Sequence, residues 1–84
     1  MAVARSASQV FGERIRELRQ KRGLTQVELS ERSGFPQGRI SEIERGGRMP
    51  TLNTMIRLAL ALDCKVTDLV SPFSKTELAS FLPK

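Results

Sequence analysis

The chain of 84 residues has no histidine, no tryptophan and no tyrosine. Without histidine it lacks the usual general base at neutral pH, the usual zinc ligand, and any Ser-His-Asp or Cys-His arrangement. Its one cysteine, Cys64, excludes an intrachain disulfide and a cysteine-based metal cluster. Long hydrophobic runs are missing too. The most apolar stretch, residues 55–62, is interrupted by Arg57 and is too short to span a bilayer. Residues 1–10 carry one arginine and no apolar run of signal-peptide length. These absences make most enzyme classes unlikely candidates and give no reason to expect a metal or cofactor. A cytoplasmic protein with no membrane attachment is the expectation.

What is present is an ordinary globular composition, 39% hydrophobic with six glycines, in a chain long enough for one small domain. Fourteen basic residues stand against nine acidic ones, for a net charge of +5. Residues 1–48 hold ten of the basic and six of the acidic groups, so most of the excess lies there. Ten of the basic residues are arginine, whose planar fork suits phosphates and base edges. The same charge also fits a plainly solvated basic surface.

Glycine, proline and capping residues divide the chain into short helices. Phe11, Ile15 and Leu18 form one apolar stripe, which predicts a helix over 8–22 that stops at Gly23. Thr25-Gln26-Val27-Glu28 is a capping box, with Leu24 and Leu29 placed as its hydrophobic staple. The second helix is predicted over 26–32, ending at Gly34. A third begins near Pro36, buries Ile40 and Ile43, and ends at Gly46-Gly47. After Thr51, the residues Leu52, Met55, Ile56, Ala59 and Leu62 fall at helical spacing and are expected to form the buried side of a fourth helix. Met49 and Met55 read as packing residues. A short fifth helix is predicted over 66–70. Ser74-Lys75-Thr76-Glu77 is a second capping box, ahead of Leu78, Phe81 and Leu82. No segment alternates with period two. The fold class is all-α, a compact five-helix bundle with an optional short sixth helix at the C-terminus.

The second and third helices, joined by a turn at Gly34, form a helix-turn-helix unit over 26–45. Short helix links occur in any small bundle, so this pattern alone is weak. The residues around it are more specific. Leu24-Thr25-Gln26, Glu28-Leu29, Gly34, Ile40-Ser41, Ile43-Glu44-Arg45-Gly46, Pro50, and Leu58-Ala59 with Leu62 all fall in register. On these residues the chain, over 11–70, resembles the phage-repressor/Cro (Xre-like) family of DNA-binding domains, whose fold is of the lambda-repressor type.

The resemblance implies a role for each matched position. The helix after the turn enters the major groove, so Gln37, Gly38, Arg39 and Glu42 are the expected base-reading positions. Gln37 suits adenine, Arg39 guanine and Glu42 cytosine. Gln26, Ser41, Arg45 and Arg48 are the expected contacts to the DNA backbone. Arg19 and Glu44 are the expected structural pair. Pro36 stands where the family often has a capping hydroxyl. Gly38 replaces a residue that usually carries a side chain toward DNA, which either lets the backbone approach the bases or leaves one position unread. Asp63 stands where glycine is more usual.

The organisation expected is a flexible arm over 1–7, a DNA-binding domain over 8–71, and a dimerisation extension over 72–84. Leu60, Leu69, Val70, Phe73 and Phe81 supply more apolar surface than a short terminal segment needs. They are the expected homodimer seam, with packing on the chain's own core as the plainer reading. The functional expectation is a regulator that binds a double-stranded operator as a homodimer. A repressor or autoregulator is the simplest form, of the restriction-modification controller, prophage repressor or antitoxin type. A toxin partner is not determinable from the sequence. The alternative is a protein-interaction module on the same helical scaffold.

Overall fold

In the computed structural model, residues 5–73 and 78–81 are described. Helix α1 spans Ala7–Lys21 and begins at a capping box. The Ser6 hydroxyl accepts from the Gln9 N–H, and the Gln9 side chain accepts from the Ser6 N–H. The cap therefore shortens the expected 1–7 arm, of which residues 1–4 lie outside the described residues. α1 buries Val10, Phe11, Ile15 and Leu18. It ends in a left-handed turn at Gly23, where the Leu24 N–H donates to the Arg19 carbonyl.

Helix α2, Gln26–Ser33, starts at the capping box of Thr25 and Glu28. It ends at Gly34, whose φ of 79° is a left-handed conformation that favours glycine. Helix α3 spans Gln37–Glu44. Pro36 is its N-cap and lies outside the first turn, so no side chain caps α3. Helix α4, Leu52–Ala61, is capped by Thr51, and the four-residue helix α5 spans Val66–Leu69. A 3-10 turn over Leu78–Phe81 stands where a sixth helix was an option. The second predicted capping box, 74–77, and Leu82 lie outside the described residues. Among the described residues there is no strand.

The core gathers Phe11, Ile15 and Leu18 of α1 with Leu29, Ile40, Ile43, Leu58, Leu62 and Leu69. α1 and α3 cross so closely that a Cβ on Gly12 would lie 2.3 Å from the Ile43 carbonyl oxygen. Any larger residue there would force the helices apart. Arg14 ties α1 to α5, its Nε donating to the Asp68 carbonyl at 2.8 Å.

Two expectations about burial are corrected. α4 faces inward with Thr54, Leu58, Ala59, Ala61 and, just past its end, Leu62. Leu52 (62% exposed), Ile56 (42%) and Leu60 (77%) form a second apolar stripe facing outward, and Met49 is exposed as well. The helix is apolar nearly all round, so spacing alone does not select its inner face. Leu69, expected at a dimer seam, is fully buried in the core, where it closes the end of the bundle. Val70 and Phe73 are half-buried and pack against the same core. Phe73 also meets Phe81 edge to face, with ring centroids 5.2 Å apart.

Candidate nucleic-acid interface

The interface is anchored by a buried charge. Glu44, at the end of α3, is gripped from α1 by the Arg19 guanidinium, with Nε to Oε2 at 2.7 Å and Nη2 to Oε1 at 3.1 Å. The two side chains are only 11% and 4% exposed. Arg19 Nη1 donates to the Leu24 carbonyl, so the guanidinium also holds the chain leading into α2. This is the pair the sequence resemblance implied. Its two-pronged geometry supplies the compensation that a buried charge needs.

A polar chain runs outward from this pair. The Gln26 side-chain amide donates to Glu44 Oε1 at 3.0 Å. A carboxylate only accepts, so this bond turns the Gln26 carbonyl oxygen outward. Gln37 Nε2 donates to that oxygen at 3.2 Å. The first residues of α2 and of α3 are thus bonded to each other and, through Glu44, to α1. Gln37 itself is exposed, with hydrogen-bonding capacity left for a base edge.

Of the other sequence-assigned positions, Gly38, Ser41 and Glu42 share a side of α3 with Gln37, whereas Arg39 stands about 200° around the helix from it. Gly38 is exposed, and a Cβ there would meet nothing within 4 Å. Arg39 is half-buried, its guanidinium carbon 5.1 Å from the centroid of the Phe35 ring. Glu42 pairs with Arg48 at 3.3 Å, so an expected base reader and an expected backbone contact hold each other in the free protein. An exposed pair of this kind contributes only about 0–1 kcal/mol, and DNA can replace it at little cost. Arg45 donates from Nη1 to the Ser41 hydroxyl at 2.7 Å. Arg57 of α4 was not singled out in the sequence, where it merely interrupts an apolar stretch. It stacks on the same Phe35 ring, 4.6 Å from its centroid.

Two short helices joined at a glycine turn, the second with an exposed polar start, form a helix-turn-helix unit. Similarity to known proteins points the same way. The chain matches the helix-turn-helix family over residues 15–69 and belongs to it. It is 43% identical over 67 residues to the HTH-type transcriptional regulator y4dJ of Sinorhizobium fredii, covering 80% of this chain and 87% of that one. It is 37% identical over 59 residues to the immunity repressor protein of Bacillus phage phi105, covering 70% of this chain and 41% of that longer one. Among solved structures, the restriction-modification controller protein C.AhdI of Aeromonas hydrophila superposes with a TM-score of 0.72 at 39% identity, covering 74% of this chain and 94% of that one. The protein is a helix-turn-helix transcriptional regulator and not an enzyme.

Proposed function

We propose that the protein binds a double-stranded DNA operator sequence-specifically as a homodimer in the cytoplasm. On this reading it represses transcription by occluding a promoter, including that of its own gene. Its likeness to a phage immunity repressor and to a restriction-modification controller supports that type of regulator. The observation that carries the reading is the chain of bonds from the buried Arg19–Glu44 pair through Gln26 to Gln37. It holds the exposed start of α3 in one orientation before DNA arrives, which reduces the ordering cost of binding.

In this reading Gln37, Arg39 and Glu42 face base edges, and Gly38 brings the backbone of α3 close to the groove floor. Gln26, Ser41, Arg45 and Arg48 contact phosphates. One such unit reads few base pairs, and a twofold dimer doubles the site, with half-sites about 34 Å apart or a multiple of that. The DNA-binding domain, expected over 8–71, starts on this reading at the Ser6 cap of α1 and takes Phe73 of the 72–84 segment into its core. Since Leu69 is spent on the core, the dimer seam falls on Leu52, Ile56 and Leu60 of α4. Val70, Phe73 and Phe81 serve mainly to close the subunit's own core.

The test is a set of binding titrations on a selected operator and its single-base variants. Gln37→Ala and Arg39→Ala are each expected to cost about 1–3 kcal/mol and to relax preference at one base position. Unchanged base preference in both variants would remove them from the reading surface. Failure of the wild type to prefer any duplex would favour a protein partner instead.

A further inference from the structure

We infer that Arg57, on α4 and outside the helix-turn-helix, is a further contact to the phosphate backbone of duplex DNA. The inference rests on the DNA-binding reading and extends it to a residue on another element.

Position is the first argument. The Arg57 guanidinium carbon lies 4.6 Å from the centroid of Phe35, in the turn between α2 and α3. A Cβ built on Gly34 would meet Arg57 Nη2 at 2.8 Å. The charge therefore sits against the turn that leads into the recognition helix, although the residue belongs to α4. Gly34 serves twice here. It takes the left-handed conformation, and its missing side chain leaves room for the guanidinium.

Charge is the second argument. Arg39 stacks on the same ring at 5.1 Å, so one aromatic side chain holds two like-charged groups. Among the described residues, neither arginine is in an ion pair, whereas Arg14, Arg19 and Arg48 each are. The face of a ring attracts a cation but does not neutralise it. Two unneutralised guanidinium groups held by one ring repel each other, and an anion beside either of them offsets that repulsion. DNA supplies such anions in a row along each strand of the duplex.

The third argument is pre-organisation. A free arginine side chain loses much rotamer freedom when it is fixed on a ligand. Arg57 is exposed, yet its guanidinium already lies over a buried ring, so part of that loss precedes binding. A stacked guanidinium keeps its N–H edge free, and that edge binds phosphate through two parallel hydrogen bonds. The contact reads no base. It sets how deeply α3 sits beside the strand.

The experiment compares the wild type with Arg57→Ala, Arg57→Gln and Arg57→Lys on a selected operator and on an unrelated duplex, across a salt series. Both neutral variants are expected to bind the two duplexes more weakly by a similar factor, roughly 3–10-fold near 0.1 M salt. The slope of log K against log salt is expected to fall by about 0.9 for each phosphate no longer neutralised. Arg57→Lys is expected to restore the slope. Thermal unfolding of each variant separates this from loss of the fold, and Arg57→Gln keeps a polar side chain where Arg57→Ala removes it. Wild-type affinity and slope in both neutral variants would overturn the inference and leave the DNA-binding reading standing. Loss of base preference at an unchanged slope would overturn it too, because Arg57 would then only position Arg39. A wild type that binds no duplex would overturn both.

Discussion

Glu44 carries two jobs that conflict in most proteins. Its carboxylate is almost fully buried, which is costly, and it still organises a surface that must meet a ligand. Arg19 neutralises it from one side, and Gln26 uses its remaining capacity on the other. Glu44→Ala would leave the Arg19 guanidinium buried without its partner. We expect it to lower stability by about 3–5 kcal/mol in urea unfolding. Gly38 is the opposite case. It stands in a helix, no left-handed conformation requires it, and a Cβ there meets nothing within 4 Å. Gly38→Ala is expected to raise stability by up to about 1 kcal/mol in the same assay. A drop in stability would show that this end of α3 does not behave as an ordinary helix. The contrast separates residues that hold the interface from residues that merely lie on it.

At the level of elements, the local signals in the sequence were dependable. The capping box at Thr25, the turn at Gly34 and the stops at Gly23 and Gly46 all fall where the sequence puts them. Each is decided within a few residues by hydrogen bonding or by backbone sterics. The places of Gln37, Arg39 and Glu42 on α3 were legible to the same depth, because the third helix starts right after Pro36. The inner face of α4 was not legible. Leu52, Ile56 and Leu60 share helical spacing, and so do Thr54, Leu58 and Ala61. The choice depends on packing partners far along the chain. Arg57 was hidden for the same reason, because its stack on Phe35 joins α4 to a turn more than twenty residues earlier. The outward stripe of α4 repeats every four residues about Ile56. Two antiparallel copies therefore place Ile56 on Ile56 and Leu52 on Leu60, the self-complementary pattern a twofold interface requires. Ile56→Asp is expected to give a folded monomer by sedimentation and circular dichroism, with much weaker operator binding. If it sediments as the wild type does, the seam lies elsewhere.

At the level of the whole molecule, the bonds that secure α1 reach far along the chain. Arg19 pairs with a residue 25 positions later, and Arg14 bonds a carbonyl 54 positions later. The Gly12 crossing with α3 brings it against Ile43 and Glu44, 31 and 32 positions later. Removing residues 66–84 would take Leu69 out of the core and Asp68 away from Arg14. We expect such a truncated chain to lose its cooperative thermal transition, as followed by circular dichroism; a sharp transition would show that four helices suffice. The same architecture orders events during synthesis. α1 leaves the ribosome before the other described helices and completes its packing late. At about 5–20 residues per second, the 54 positions separating Arg14 from Asp68 correspond to roughly 3–11 s. For the first part of that interval, until Ile40 and Ile43 of α3 have been made, the stripe of Phe11, Ile15 and Leu18 lacks its partners on α3. The network behind the DNA-binding face needs nothing beyond Glu44, so it can form while the residues that close the core around α5 are still to be made.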